Sequence, residues 1–203
     1  MLVKPSVKST TEDRDATLIL QSQQGNAEAF RLLYRRYQAK VRSTLHQLCG
    51  QRHLDDLVQD VFLRVWKGLP QLRNPSFFAT WIYRITWNVA QDARKQLGRS
   101  RQQEWHSTTA EKAEESDMSL QLSRPQDSPD LLRLHYQDLV KRGLATLSFE
   151  HRTVLVLHDL EDLPQKMIAD VLNLPTGTIK SRLFYARRAM REFLQHQGVN
   201  DVF

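Results

Sequence analysis

Three groups of side chains in this sequence have the types and spacing to do chemistry. His46, Cys49 and His53 stand at steps of three and four residues, as metal ligands on one helix face would. Zinc accepts such nitrogen and sulfur donors, but a closed site takes four ligands, and Gly50 ends the helix between them. His158, Asp159, Glu161 and Asp162 form a second group, read here as acids that follow a helix end and precede a turn. No phosphate-binding glycine loop, HExxH or CxxC is present. We therefore expect no metal, no cofactor and no catalytic set. The third group is of another kind. Thr178, Lys180, Ser181, Arg182, Tyr185 and Arg188 share one side of a helical repeat, and Ile179, Leu183, Ala186, Met190 and Phe193 share the other. Such polar side chains donate to phosphates and to base edges in a major groove, arginine to guanine above all.

The elements that must position this group lie just upstream. Residues 165–173 read as a short helix carrying Ile168, Ala169, Val171 and Leu172, and 177–195 as a longer one. The turn expected between them is Leu174-Pro175-Thr176-Gly177, with Thr176 as N-cap of the second helix. A turn this short forces a sharply angled helix pair, and small Ala169 lets the two approach closely. Helix, turn and basic helix in that order form a helix-turn-helix. Upstream again, Val154, Leu155, Leu157 and Leu160 belong to a helix opened by Ser148, preceded by a stripe from Leu131 to Leu147.

The first half is also helical. Phe30, Leu33, Tyr34, Tyr37, Val41, Leu45 and Leu48 recur at three- and four-residue steps, as do Leu54, Leu57, Val58, Val61, Phe62, Val65, Trp66 and Leu69. Gly68 and Pro70 stop the second stripe. A third helix is expected from about Ser76, burying Phe78, Trp81, Ile82, Ile85 and Val89, and a short one from Asp13 to Gln23 stands in front. The chain of 203 residues carries a formal charge of +6. Its basic residues cluster in 78–101 and 176–192, and the sign reverses in 104–130. The fold expected is all-α: two small helical domains, 13–97 and 130–197, joined by a flexible acidic linker, 98–129. That stretch holds too few apolar residues to offset its ordering entropy. No run of about 18 apolar residues marks a membrane span, and no signal peptide precedes Arg14, so a cytoplasmic location without membrane insertion is expected.

Several segments resemble the extracytoplasmic function (ECF) family of RNA polymerase sigma factors. Asp56-Leu57-Val58-Gln59-Asp60-Val61-Phe62-Leu63-Arg64-Val65-Trp66 is similar to the family's DLVQEVFLRVW signature in region 2. Phe78-Ala79-Thr80-Trp81-Ile82-Tyr83-Arg84-Ile85, with Asn88 and Asp92, resembles its FxTWLYRIARNxxxD segment. Gly25 to Phe30 and Leu33 to Tyr37 resemble its opening helix, and Gly177-Thr178-Ile179-Lys180-Ser181-Arg182-Leu183 its GTVKSRL of region 4. The resemblance covers both modules in the right order.

The resemblance implies roles, residue by residue. Asp55, Asp56, Gln59, Asp60, Leu63 and Trp66 match positions that dock on the β′ subunit of core polymerase, which together with the β subunit is the expected partner. The loop 69–77 stands where the family captures a base flipped out of the promoter −10 strand; Asn74 and Ser76 would read base edges and Arg73 hold phosphate. Arg84, Asn88, Arg94 and Lys95 would follow the separated strand. Thr176, Thr178, Lys180, Ser181, Arg182, Tyr185 and Arg188 would read the −35 element in duplex promoter DNA. By the same analogy an anti-sigma factor would hold the protein inactive, wedged between the modules. The function implied is that of an alternative sigma factor, not an enzyme. Trp87 departs from the family's small residue and would lie against DNA or cover the linker. Pro164 replaces the usual serine cap, and Tyr185 the usual arginine. The alternatives are a helix-turn-helix transcriptional regulator that acts without polymerase, an enzyme on a helical scaffold, and an adaptor that binds polymerase but no promoter.

Overall fold

A computed structural model describes the backbone of residues 7–107 and 129–199, and the side chains of 15–96 and 133–199. Those residues form eight α-helices and no strand: α1 (Val7–Gln23), α2 (Ala27–Cys49), α3 (Leu54–Gly68), α4 (Phe78–Ser107), α5 (Pro129–Thr146), α6 (Phe149–Leu155), α7 (Gln165–Leu172) and α8 (Thr176–His196). Short 3-10 turns, Leu69–Gln71 and Pro75–Phe77, link α3 to α4, and one π-helical turn, Val156–Leu160, extends α6.

Local chemistry explains most boundaries. Asn26 accepts from the backbone N–H groups of Glu28 and Ala29 and so opens α2. Ser148 accepts from the N–H of His151 and opens α6, as the sequence suggests. Helix α1 begins earlier than Asp13, and α4 runs on to Ser107, ten residues past Leu97. Arg99, Arg101, Gln102, Gln103 and Glu104 of the extension are good helix formers, which favours its continuing the helix. Residues 108–128, most of the expected linker, lie outside those described.

In the first module α1, α2, α3 and α4 surround Leu33, Val41, Leu45, Val58, Val61, Phe62, Val65, Phe78 and Ile82. Buried Asp15 ties α1 to α2: Arg36 pairs with it, and the Tyr37 hydroxyl donates to it at 2.8 Å. Gly68 is required by packing, since a Cβ there would stand 2.9 Å from the Trp81 ring. In the second module Val154, Leu157, Leu163, Ile168, Val171, Leu172, Ile179 and Leu183 form the core of the helix-turn-helix.

The modules are not held apart. Leu144, Leu147, Phe149, Leu155, Val156 and Ala186 join the apolar cluster of the first module, while Tyr83 of α4 joins that of the second. Helices α4 and α7 lie side by side. The sequence gives no register for this seam, because pairing between distant helices leaves no local periodicity.

Candidate nucleic-acid interface

In the helix-turn-helix the reversal falls one step earlier than expected. Asn173 takes the left-handed conformation (φ 53°) that closes α7, and the Leu174 N–H returns to the Ala169 carbonyl. Asparagine is among the few residues with a side chain that tolerate this region. The turn is therefore Asn173-Leu174-Pro175. Thr176 and Gly177 already belong to α8, so Thr176 is not the cap. Pro175 occupies that position without a side-chain bond, and its carbonyl receives the N–H groups of Thr178 and Ile179. Pro164 likewise stands ahead of α7, which forms without a side-chain cap.

Helix α8 buries Ile179, Leu183 and Ala186, which leaves Met190 and Phe193 half-buried. Lys180, Ser181, Tyr185 and Arg188 are exposed, and Thr178 and Arg182 half-exposed, so the expected polar face exists. Phe184 and Tyr185 are both exposed, in edge contact with centroids 5.4 Å apart. Tyr185 stays out of the core. Arg187, by contrast, is committed inside the module: it donates to Asp159 at 2.9 and 2.5 Å, beside the His158–Asp159 contact. Burial alone would raise the Asp159 pKa, but hydrogen bonds from Arg187 and His158 outweigh it and hold the carboxyl below its usual value. The group His158, Asp159, Glu161 and Asp162 is thus partly structural. Among the described residues no three His, Cys, Asp or Glu side chains converge to hold a metal ion.

On α3, Val58, Val61, Phe62 and Val65 face the core, and Asp55, Asp56, Gln59, Leu63 and Trp66 face outward with Asp60 at the edge. Leu63 is 48% exposed and Trp66 38%, although Trp66 also rests edge-on against Phe30 at 4.7 Å. The acids are tethered: Asp55 pairs with Arg42, and Asp60 with Arg64 at 2.9 Å, which also reaches Asp92 at 3.1 Å. An acidic edge thus lies beside two exposed apolar side chains.

The loop before α4 is a short capped structure. Asn74 accepts from the Ser76 N–H at 3.0 Å, which occupies one lone pair of its side-chain oxygen. Arg73 and Ser76 are exposed. Between them and α4 stands Phe77, 59% exposed, which sequence reasoning missed. Its signal was the Phe77-Phe78 pair: Phe78 is buried, and the preceding side chain of a tight turn points elsewhere.

A sequence profile of Sigma-70 region 2 matches residues 33–100, and one of Sigma-70, region 4, matches 143–192. The chain is 33% identical over 183 residues to the ECF RNA polymerase sigma-E factor of Haemophilus influenzae, an alignment covering 89% of this chain and 95% of that one. It is 31% identical over 182 residues to the Escherichia coli sigma-E factor, covering 89% and 94%. The chain belongs to the ECF RNA polymerase sigma factors. Solved structures agree in fold. CnrH, in complex with the cytosolic domain of CnrY, superposes with a TM-score of 0.65 at 23% identity, over 90% of this chain and 98% of that one. The sigma factor RpoE of Bartonella quintana, in complex with the anti-sigma factor NepR, gives 0.64 at 23% identity, over 83% and 98%.

In this sigma factor the seam between modules falls across the face of α4. Tyr83, only 4% exposed, lies under the second module and donates to Glu161 at 3.1 Å. Arg84, expected along the DNA strand, is exposed and donates to the Asp170 carbonyl of α7. Trp87, expected against DNA or over the linker, packs on the core of the helix-turn-helix. Its indole is large enough to fill the gap between α4 and that module, which a small residue would leave open. Arg94 lies over the Phe149 ring, 4.7 Å from its centroid. Asn88 and Lys95 remain exposed. Burial raises the Glu161 pKa above its ordinary value, against the hydrogen bonds from Ser43, Tyr83 and Thr44 and the charge of Lys40 that favour its anion.

Proposed function

We propose that this protein is an alternative sigma factor that docks on core polymerase through α3 and works in the bacterial cytoplasm. It would read the −35 element with α8, and bind the melted −10 element with the 69–77 loop and α4. It performs no bond chemistry. It opens DNA by holding the separated strand better than the duplex, a shift of equilibrium. What supports the reading most is that one chain carries both an outward α3 face of acids with Leu63 and Trp66, and a helix-turn-helix with an open polar face. A regulator working alone has use for only the second.

In this assignment Asp55, Asp56, Gln59, Asp60, Leu63 and Trp66 contact the β′ subunit. Arg73, Asn74, Ser76 and Phe77 take the extruded base and its phosphates, and Arg84, Asn88, Arg94 and Lys95 follow the strand. Thr176, Thr178, Lys180, Ser181, Arg182, Tyr185 and Arg188 face the −35 duplex. Arg84 reaches DNA only after it releases the Asp170 carbonyl, so the modules separate on the way to the promoter. An anti-sigma factor, expected to wedge between the two modules, is the partner that would oppose this step. Footprinting of promoter DNA tests the assignment. Protection at −35 and strand opening at −10 that require both this protein and core polymerase are expected; protection by the protein alone, with no opening when polymerase is added, overturns it.

A further inference from the structure

At the far end of the module seam from Tyr83 lies a cavity of about 270 Å³, lined by Leu48 and Cys49 of α2, Arg94 of α4, and Leu147, Ser148, Phe149 and Arg152 around the start of α6. At about 30 Å³ per water it has room for several waters or a small anion. Its electrostatics are one-sided. Arg94 and Arg152 come from different modules and face the same space, and neither forms an ion pair among the described residues. Arg152 spends two hydrogen bonds on the Ala145 and Leu147 carbonyls, at 3.0 and 3.2 Å, while its buried Nε has no partner. Burial, then the charge of Arg94, pull the Arg152 pKa below its ordinary value. Cys49 supplies no counter-charge, because burial pushes its thiol up to about 11 and keeps it protonated. The Ser148 oxygen already accepts from His151 N–H, which leaves its O–H to donate. The pocket is partly open, with Arg94 exposed and Arg152 half-buried, and two like charges with an unused guanidinium donor facing one space favour an anion between them.

We propose that this cavity binds a phosphate-type oxyanion between Arg94 and Arg152, and that its occupancy stabilises the pairing of the two modules. Arginine's planar fork suits a phosphate's oxygens, and the apolar floor of Leu48, Leu147 and Phe149 keeps the interaction strong. The ligand would withdraw Arg94 from DNA. A free phosphate and the phosphoryl group of a nucleotide share this chemistry. The proposal is independent of which promoter, or whether any, the protein recognises.

The test is calorimetric titration of the full chain with inorganic phosphate, and separately with a nucleoside 5′-monophosphate, at constant ionic strength set with chloride. Amide exchange across Tyr83–Trp87 is followed in parallel. Saturable binding of at least one probe is expected, lost at least tenfold in Arg94→Gln, whose side chain is exposed, and in Arg152→Lys, which keeps the charge but not the fork. Exchange should slow as the site fills, and the tighter probe identifies the source. Absence of saturable binding by either probe, or equal binding by both variants, overturns the site. Binding without slower exchange overturns its link to the seam.

Discussion

Glu161 is where the closed arrangement is most open to a directed test. Its carboxylate leaves the second module and is received by Tyr83 of α4 at 3.1 Å and by Ser43 and Thr44 of α2, with Lys40 nearby. Glu161→Ala removes the acceptor and leaves the buried Tyr83 hydroxyl with nothing opposite, while Thr44 still donates to the Lys40 carbonyl at 2.9 Å and Ser43 is open to water. An unsatisfied donor of this kind costs about 1–3 kcal/mol, reduced here by water entering the space. We expect the pairing of modules to weaken by about 1–2 kcal/mol, a factor of about 5–30 in the ratio of closed to open molecules. Glu161→Gln should act in the other direction. It keeps an oxygen for Tyr83 but removes the charge that burial disfavours, so the pairing stays or tightens. The pH dependence follows from the same shift. An acid whose pKa is raised in the closed form adds stability below its open-state value, near the ordinary 4.5, and loses it as pH rises through the closed-state value. Acidification from neutrality toward that range should therefore slow opening, and Glu161→Gln should abolish the effect. Asp159, with its pKa lowered, loses stabilisation only below its ordinary 3.8, outside this window. Amide exchange along α4 reads opening directly. Faster exchange in the alanine variant and slower or unchanged exchange in the glutamine variant are expected; faster exchange in both would refute the argument that the buried charge is unfavourable.

Other perturbations separate the surfaces. Leu63→Ala alters an exposed side chain, so folding stability should change by no more than about 0.5 kcal/mol, while affinity for core polymerase, measured by competition, falls. Phe77→Ala should spare the fold and weaken binding of single-stranded −10 oligonucleotide in the polymerase complex by about 1–3 kcal/mol, the worth of one stacked base. Arg182→Ala should relax base preference at one −35 position by about 1–3 kcal/mol, read by transcription from a set of singly substituted promoters. Asn173→Ala keeps a β-carbon in the left-handed region at φ 53° but loses the short polar side chain that makes asparagine tolerant of it, and should cost about 1 kcal/mol of thermal stability, which Asn173→Gly should not.

Periodicity in the sequence exposed every helix that buries a stripe, and Ser148, Gly68 and Pro70 marked real boundaries. It placed the turn of the helix-turn-helix one step late because Gly177 is the stronger generic turn signal, yet Asn173 adopts the left-handed conformation and Gly177 sits in helix. The outward faces of α3 and α8 were legible, since their apolar sides were already accounted for by the core. The face of α4 was not. Tyr83, Arg84 and Trp87 suit a strand of DNA and a protein seam equally well in composition, and only the tertiary pairing reveals that they line a seam. Cys49 shows the same limit: spacing set it beside two histidines, whereas packing sets it beside two arginines.

The most direct test of the central claim is run-off transcription with purified core polymerase and a library of promoter fragments. The account predicts new transcripts from a sequence-defined subset of promoters, dependent on this protein. No such transcripts, together with tight duplex binding by the protein alone, would contradict it.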